Sequence, residues 1–83
     1  MFKVIKKQMT IADDAQLDDA IVYASTVRKF PSLFAARQWI DRSISMAWES
    51  DQAGIGTGWE DEVTAYVFMA DCDGVDEYKI AVG

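Results

Sequence analysis

The chain has no histidine, one cysteine and one proline among its 83 residues, and from Ser43 onward its only basic side chain is Lys79. Each scarcity excludes something. Without histidine, the usual general base for serine and cysteine nucleophiles and the commonest transition-metal ligand are both missing. Cys72 cannot close an internal disulfide, which agrees with a reducing compartment and leaves a cysteine-linked dimer conceivable, the plain reading being an unpaired thiol without a role. No uncharged stretch approaches the roughly 20 apolar residues that span a bilayer, and the N-terminus lacks an apolar signal core. The chain therefore reads as cytoplasmic, with no membrane partner.

What is present is enough to fold. Hydrophobic residues make up 51% of the chain and aromatics 12%, too apolar for a disordered acidic tail. Residues 1–83 have room for one domain with a modest core. The charges are segregated. Lys3, Lys6, Lys7, Arg28, Lys29, Arg37 and Arg42 precede Ser43 and face five acids, a balance of +2, while residues 43–83 set Lys79 against nine acids, a balance of −8. A net charge of −6 argues against direct binding to nucleic acid, whose affinity comes mostly from Lys and Arg neutralising phosphates. A basic protein or nucleoprotein is the partner such a surface suits. Acidity that serves only solubility is the plain alternative.

Pro31 bars Phe30 from helical geometry, and Ser32 can cap the first free amides after it, so a helix is expected from about Leu33 to Glu49. Leu33, Ala36, Ile40, Ile44, Ala47 and Trp48 form its core-facing stripe, about 120° wide. Trp39 and Met46 align on a neighbouring face as a second apolar patch. Ser50 to Gly58, with three glycines, reads as a mobile loop closed by Trp59. Val63 to Ala70 is β-branched and aromatic on both faces, as in an inner strand, and is expected to sit centrally. Asp73-Gly74 signals a tight hairpin turn of the kind that needs positive φ angles. Tyr78, Ile80 and Val82 then alternate with Lys79 and Ala81 in a final, half-buried strand.

Toward the N-terminus, Phe2 to Met9 reads as a strand, and two readings compete for residues 10–30. A helix over Thr10 to Lys29 would match Leu17, Ala20, Ile21 and Ala24 on one face, with Asp13 and Asp14 at its positive end. A strand over Ala20 to Phe30, after a hairpin loop through Ala12 to Asp19, suits Ile21, Val22, Tyr23, Thr26 and Val27. The strand is preferred. The expected fold is therefore α+β, a small antiparallel sheet with one packed helix in the order β-β-α-β-β, with β-α-α-β-β as the alternative.

Phe30-x-Ser32-Leu33-x-x-Ala36-x-x-Trp39-Ile40-Asp41 resembles the strand-to-helix junction of small phage-type α+β domains, including the arm-binding domains of tyrosine recombinases. Those domains are typically basic, so their DNA binding is not carried over to this acidic chain. In size, acidity and lack of catalytic residues, the whole chain resembles the small inhibitors made by phages and mobile elements, anti-CRISPR proteins above all. This likeness is one of kind and rests on no single motif.

Asp71-Cys72-Asp73-Gly74-Val75-Asp76-Glu77 has the carboxylates of a calcium loop but not the twelve-position spacing, so no metal site is assigned. Gly54-x-Gly56-x-Gly58 lacks the Lys-Ser/Thr of a phosphate loop. Glu60, Asp61 and Glu62 beside Trp59 form no acid–base pair in a recognisable pocket. No enzyme activity and no cofactor are expected. Glu49, Asp51, Glu60, Asp61, Glu62, Asp71, Asp73, Asp76 and Glu77 are expected to gather in loops as one acidic protein-binding face. Trp39, Met46, Trp59, Tyr66 and Phe68 are expected to form an apolar patch beside it, because a single helix leaves one face of the sheet uncovered. The resemblance implies an inhibitor acting in the host cell, its acidic face blocking a basic nucleic-acid groove of a defence complex such as a CRISPR effector. A homodimeric structural or regulatory module is the alternative.

Overall fold

Two antiparallel hairpins, one from each end of the chain, join through their inner strands. A computed structural model describes residues 1–11 and 19–83. The helix-or-strand question is settled for its second half: Ile21–Phe30 is a strand (β2), paired with Phe2–Thr10 (β1), so the helical reading fails there. The loop expected through Ala12 to Asp19 falls mostly on residues 12–18 and lies outside the described residues.

The helix α1 spans Leu33–Glu49 as expected, and Ser32 caps it, its Oγ accepting from the Ala35 N–H at 3.1 Å. It is followed by Gly58–Trp59 (β3), Thr64–Phe68 (β4) and Gly74–Val82 (β5). The fold is α+β with a five-stranded sheet in the order β2-β1-β5-β4-β3, every neighbouring pair antiparallel. The chain order β-β-α-β-β is thus corrected by one short extra strand. β5, expected as a half-buried closing strand, is the middle of the sheet, and β4 stands one place nearer the edge.

β2 lies on one border and β3 on the other, so α1 must carry the chain across the sheet, and it packs on one face only. There Val4, Ala36, Ile40, Ala47, Ala65, Val67, Tyr78 and Ile80 form the main core. The buried stripe of α1 is rotated from the expected one. Leu33 and Trp48 are exposed, while Trp39 turns inward. Its ring lies 5.6 Å from Phe30 and 5.8 Å, edge-on, from Tyr78. Trp39 thus gains two aromatic neighbours, whereas Leu33, at the first residue of the helix, and Trp48, near its last, lie at the helix ends.

The opposite face of β4 carries Tyr66 and Phe68, which join Met9 and Val75 in a second, smaller cluster. Among the described residues no second helix covers it; Ile11 and Ala20, flanking the connection between β1 and β2, pack against it instead. The glycine loop also contributes. At Gly56, with φ at +99°, a Cβ would stand 3.1 Å from the Phe68 ring, so both the conformation and the close approach require glycine.

The expected mobile loop is laced to β4: Gly54 donates to Phe68 O at 2.6 Å, and the Thr57 hydroxyl accepts from the Phe68 N–H at 2.9 Å. The turn at Asp73-Gly74 is also wider than expected. Met69 donates to Gly74 O at 2.9 Å, closing a four-residue tip, and neither Asp73 nor Gly74 has a positive φ. Among the described residues the one non-glycine positive φ falls at Asp51, +58°, just past the helix end, where a left-handed residue commonly terminates a helix. Among the described residues no helix is long and apolar enough to cross a membrane.

Ile40→Ala is expected to lower the unfolding free energy by about 2–5 kcal/mol in urea denaturation, because its side chain is fully buried. Leu33→Ala should cost less than about 1 kcal/mol.

Candidate functional site

The fold turns the charge split along the chain into a charge gradient across the sheet. β1 and β2 carry Lys3, Lys6, Lys7, Arg28 and Lys29 without an acid, whereas residues 49–73 carry seven acids without a base. The nine acids expected to gather do not form one continuous face. Glu60, Asp61 and Glu62 occupy the turn between β3 and β4, at one end of β4. Glu49, Asp51 and Asp71 gather at its other end, about 20 Å away at the rise of an extended strand, where the Ala70 N–H donates to Gln52 O, while Asp73 lies further in, its carbonyl accepting from Ile11 at the end of β1. These two corners bracket the β3–β4 border. The remaining two acids leave the set: Asp76 is buried beneath the helix, and Glu77, on the opposite face of β5, accepts from the Tyr66 hydroxyl at 3.2 Å.

The corner at residues 60–62 is anchored. Asp61 accepts from the Val63 N–H at 2.9 Å, which holds its carboxyl below the usual range, and Glu60 N–H donates to Thr64 O at 2.8 Å. From the helix, Arg37 donates to the Glu62 carbonyl and places its guanidinium 4.1 Å from the centre of the Trp59 ring. Trp59 in turn donates from Nε1 to Asp41 at 2.6 Å. A cation, an indole and a carboxylate thus tie the acidic turn to α1.

The expected apolar patch is divided by the sheet. Trp39 and Trp59 pack against the core on the helix face, Tyr66 and Phe68 lie in the cluster on the other face, and only Met46 is largely exposed. Burial and the neighbouring Glu77 carboxylate push the Tyr66 phenol up to about 12.

Met46 marks a feature that sequence reasoning missed. A cavity of about 410 Å³ opens under the C-terminal half of α1, between Met46, Ala47, Ser50 and Gln52 on one side and Val67, Met69, Asp76 and Tyr78 on the other. Asp76 lies in its floor, with Lys6 Nζ 3.9 Å away and 5.5 Å from the centre of the Tyr78 ring. A signal was available: the alternation that turns Tyr78 and Ile80 inward reaches Asp76 two residues earlier. Chemically the cavity offers one carboxylate for a hydrogen-bonding or cationic group, beside thioether and aliphatic walls. The two serine hydroxyls that line it, of Ser43 and Ser50, are engaged elsewhere, Ser43 donating to Trp39 O at 3.1 Å and Ser50 to Met46 O at 2.8 Å. They are not aligned as nucleophiles.

Comparisons with known protein families, curated proteins and solved structures match nothing to this chain.

Burial raises the Asp76 carboxyl above its usual range, and Lys6 opposes this with a smaller effect. The folded state therefore holds this proton more tightly than the unfolded chain. Stability from the group is present at and below the unfolded value of 3.8 and is lost as pH rises through the raised value. Asp76→Asn removes the buried charge and should raise the melting temperature at pH 7 by about 2–6 °C. The gain should shrink as wild type is acidified toward pH 4, which thermal melts across pH would show.

Proposed function

We propose that the protein is a non-enzymatic inhibitor from a phage or mobile element, whose acidic border occupies a basic nucleic-acid-binding groove of a host defence complex of the CRISPR effector kind. The observation that carries this reading is the run of seven acids without a base, six of them set at two corners of one border of the sheet. Two acidic corners about 20 Å apart suit an extended basic groove rather than a single cationic pocket. The far border is basic, so the field points outward from one side and favours an oriented encounter with a positive surface.

Two further features agree with it. The acidic turn at Glu60, Asp61 and Glu62 is held to the helix through Trp59 and Arg37, and the Val63 N–H holds the Asp61 carboxyl below its usual range. Inhibition follows from steric and electrostatic competition, with the protein's carboxylates standing where phosphates would stand. The working compartment is the host cytoplasm.

The test is competition for target DNA on purified CRISPR effector complexes, followed by gel mobility. The protein should displace DNA, and raising salt should weaken its binding, because the contacts are between exposed charges. Replacing Glu60, Asp61 and Glu62 together by lysine should reduce inhibition by about tenfold or more. Unchanged inhibition in that variant, or DNA binding untouched across effectors of different types, would overturn the reading.

A further inference from the structure

β2 is the longest strand in the sheet, ten residues, and among the described residues nothing pairs with its outer side. The ladder shows which backbone groups are left over. Gly83 donates to Met1 O at 3.2 Å and Ile11 to Asp73 O at 2.9 Å, so odd-numbered residues of β1 bond toward β5. Its even-numbered residues therefore bond toward β2, where they meet Ala24, Thr26, Arg28 and Phe30. Ser25, Val27 and Lys29 direct their N–H and C=O groups outward. From Ser25 to Lys29 the strand offers a continuous set of unmade hydrogen bonds, and its side chains are as open: Ile21 is 71% exposed, Tyr23 64% and Val27 58%.

Natural sheets protect such borders with proline, lysine, bulges or a covering element. Here Arg28 and Lys29 protect one end, and a bulge opposite Gln8 and Met9 distorts the other. From Ile21 to Val27 there are seven residues without a charge or a proline.

We propose that β2 pairs antiparallel with β2 of a second copy of this chain, joining two five-stranded sheets into one of ten strands. The strand is self-complementary only in that direction. Antiparallel pairing lays Arg28 and Lys29 of each copy beside the apolar start of the other, where their stems cover apolar side chains while the Arg28 guanidinium stays over Phe30 and Trp39 of its own chain. The like charges then sit at opposite ends of the junction, whereas a parallel, in-register pairing would set Arg28 and Lys29 against their own copies. A two-fold axis closes the assembly at a dimer, because each copy has one such border. The negative charge of each copy does not oppose contact. The acidic border is four strand spacings away, about 19 Å, roughly twice the screening length at physiological salt.

This pairing is independent of the acidic border's role, and its test reads mass rather than inhibition. Sedimentation of the wild-type chain over a concentration series should show a dimer of the 9.3 kDa chain that dissociates on dilution. Val27→Pro removes an N–H that points away from β1, so the sheet should persist by circular dichroism while the dimer is lost. Tyr23→Lys replaces an exposed side chain with a charge that repels Arg28 and Lys29 across the junction. It should abolish dimerisation as well, and it decides the matter if the proline variant fails to fold. A wild-type chain that stays monomeric at millimolar concentration would overturn the proposal and leave this border to a different chain. So would a dimer that survives both substitutions, since it would be built on another surface.

Discussion

The pairing of the first strand with the last holds the molecule together. β1 and β5 meet along nine consecutive residue pairs, Phe2 with Val82 through Thr10 with Gly74. Without that ladder the protein would be two hairpins, each with one apolar face and no partner for it. With it, Val4, Tyr78 and Ile80 lie side by side as a floor on which Ile40 can be fully buried. Closing more than sixty residues of intervening chain costs only a few kcal/mol, because loop entropy grows with the logarithm of length. The larger consequence is kinetic. Both hairpins are local, whereas their union is not, so the step that creates the core is the one with the greatest sequence separation.

The same ladder explains why the charges end up apart. Pairing β1 with β5 puts the basic N-terminal hairpin on one side of the sheet and the acidic residues 49–73 on the other. The helix is then obliged to cross the whole face, since the chain leaves from β2 at one border and re-enters at the opposite one. Its C-terminal half stands over a cavity rather than a filled core, and this is where Asp76 is buried with Lys6 beside it. A carboxylate in that position weakens the domain at neutral pH, a cost that an apolar or amide side chain would avoid.

Much of the fold was legible locally. Pro31 and Ser32 mark the start of α1, β-branched residues mark β2, and the apolar run from Val63 to Ala70 marks β4, because each depends on neighbours within a few positions. What was not legible depends on distant partners. Periodicity defines an apolar sector on α1 but cannot say which margin faces the sheet; Phe30 and Tyr78 decide that in favour of Trp39. Tyr66 and Phe68 looked uncovered because Ile11, Ala20 and Gly56, which cover them, come from other parts of the chain. β3 is too short to announce itself. The acids looked like one face because the positions of strand ends, and so the separation of the two corners, follow from topology. Asp76 was the exception: its alternation with Tyr78 and Ile80 could have been read as inward, but its charge argued for a solvated turn.

The bracing of the acidic turn by Trp59, Arg37 and Asp41 changes what any contact made there would cost. A free loop of three adjacent carboxylates must give up backbone freedom, about 1–2 kcal/mol per residue, when a partner immobilises it. Here that loss is taken when the domain folds. A surface prepared in this way keeps more of each new interaction as net affinity, and it presents the same shape to every partner. Such rigidity favours selectivity over tolerance.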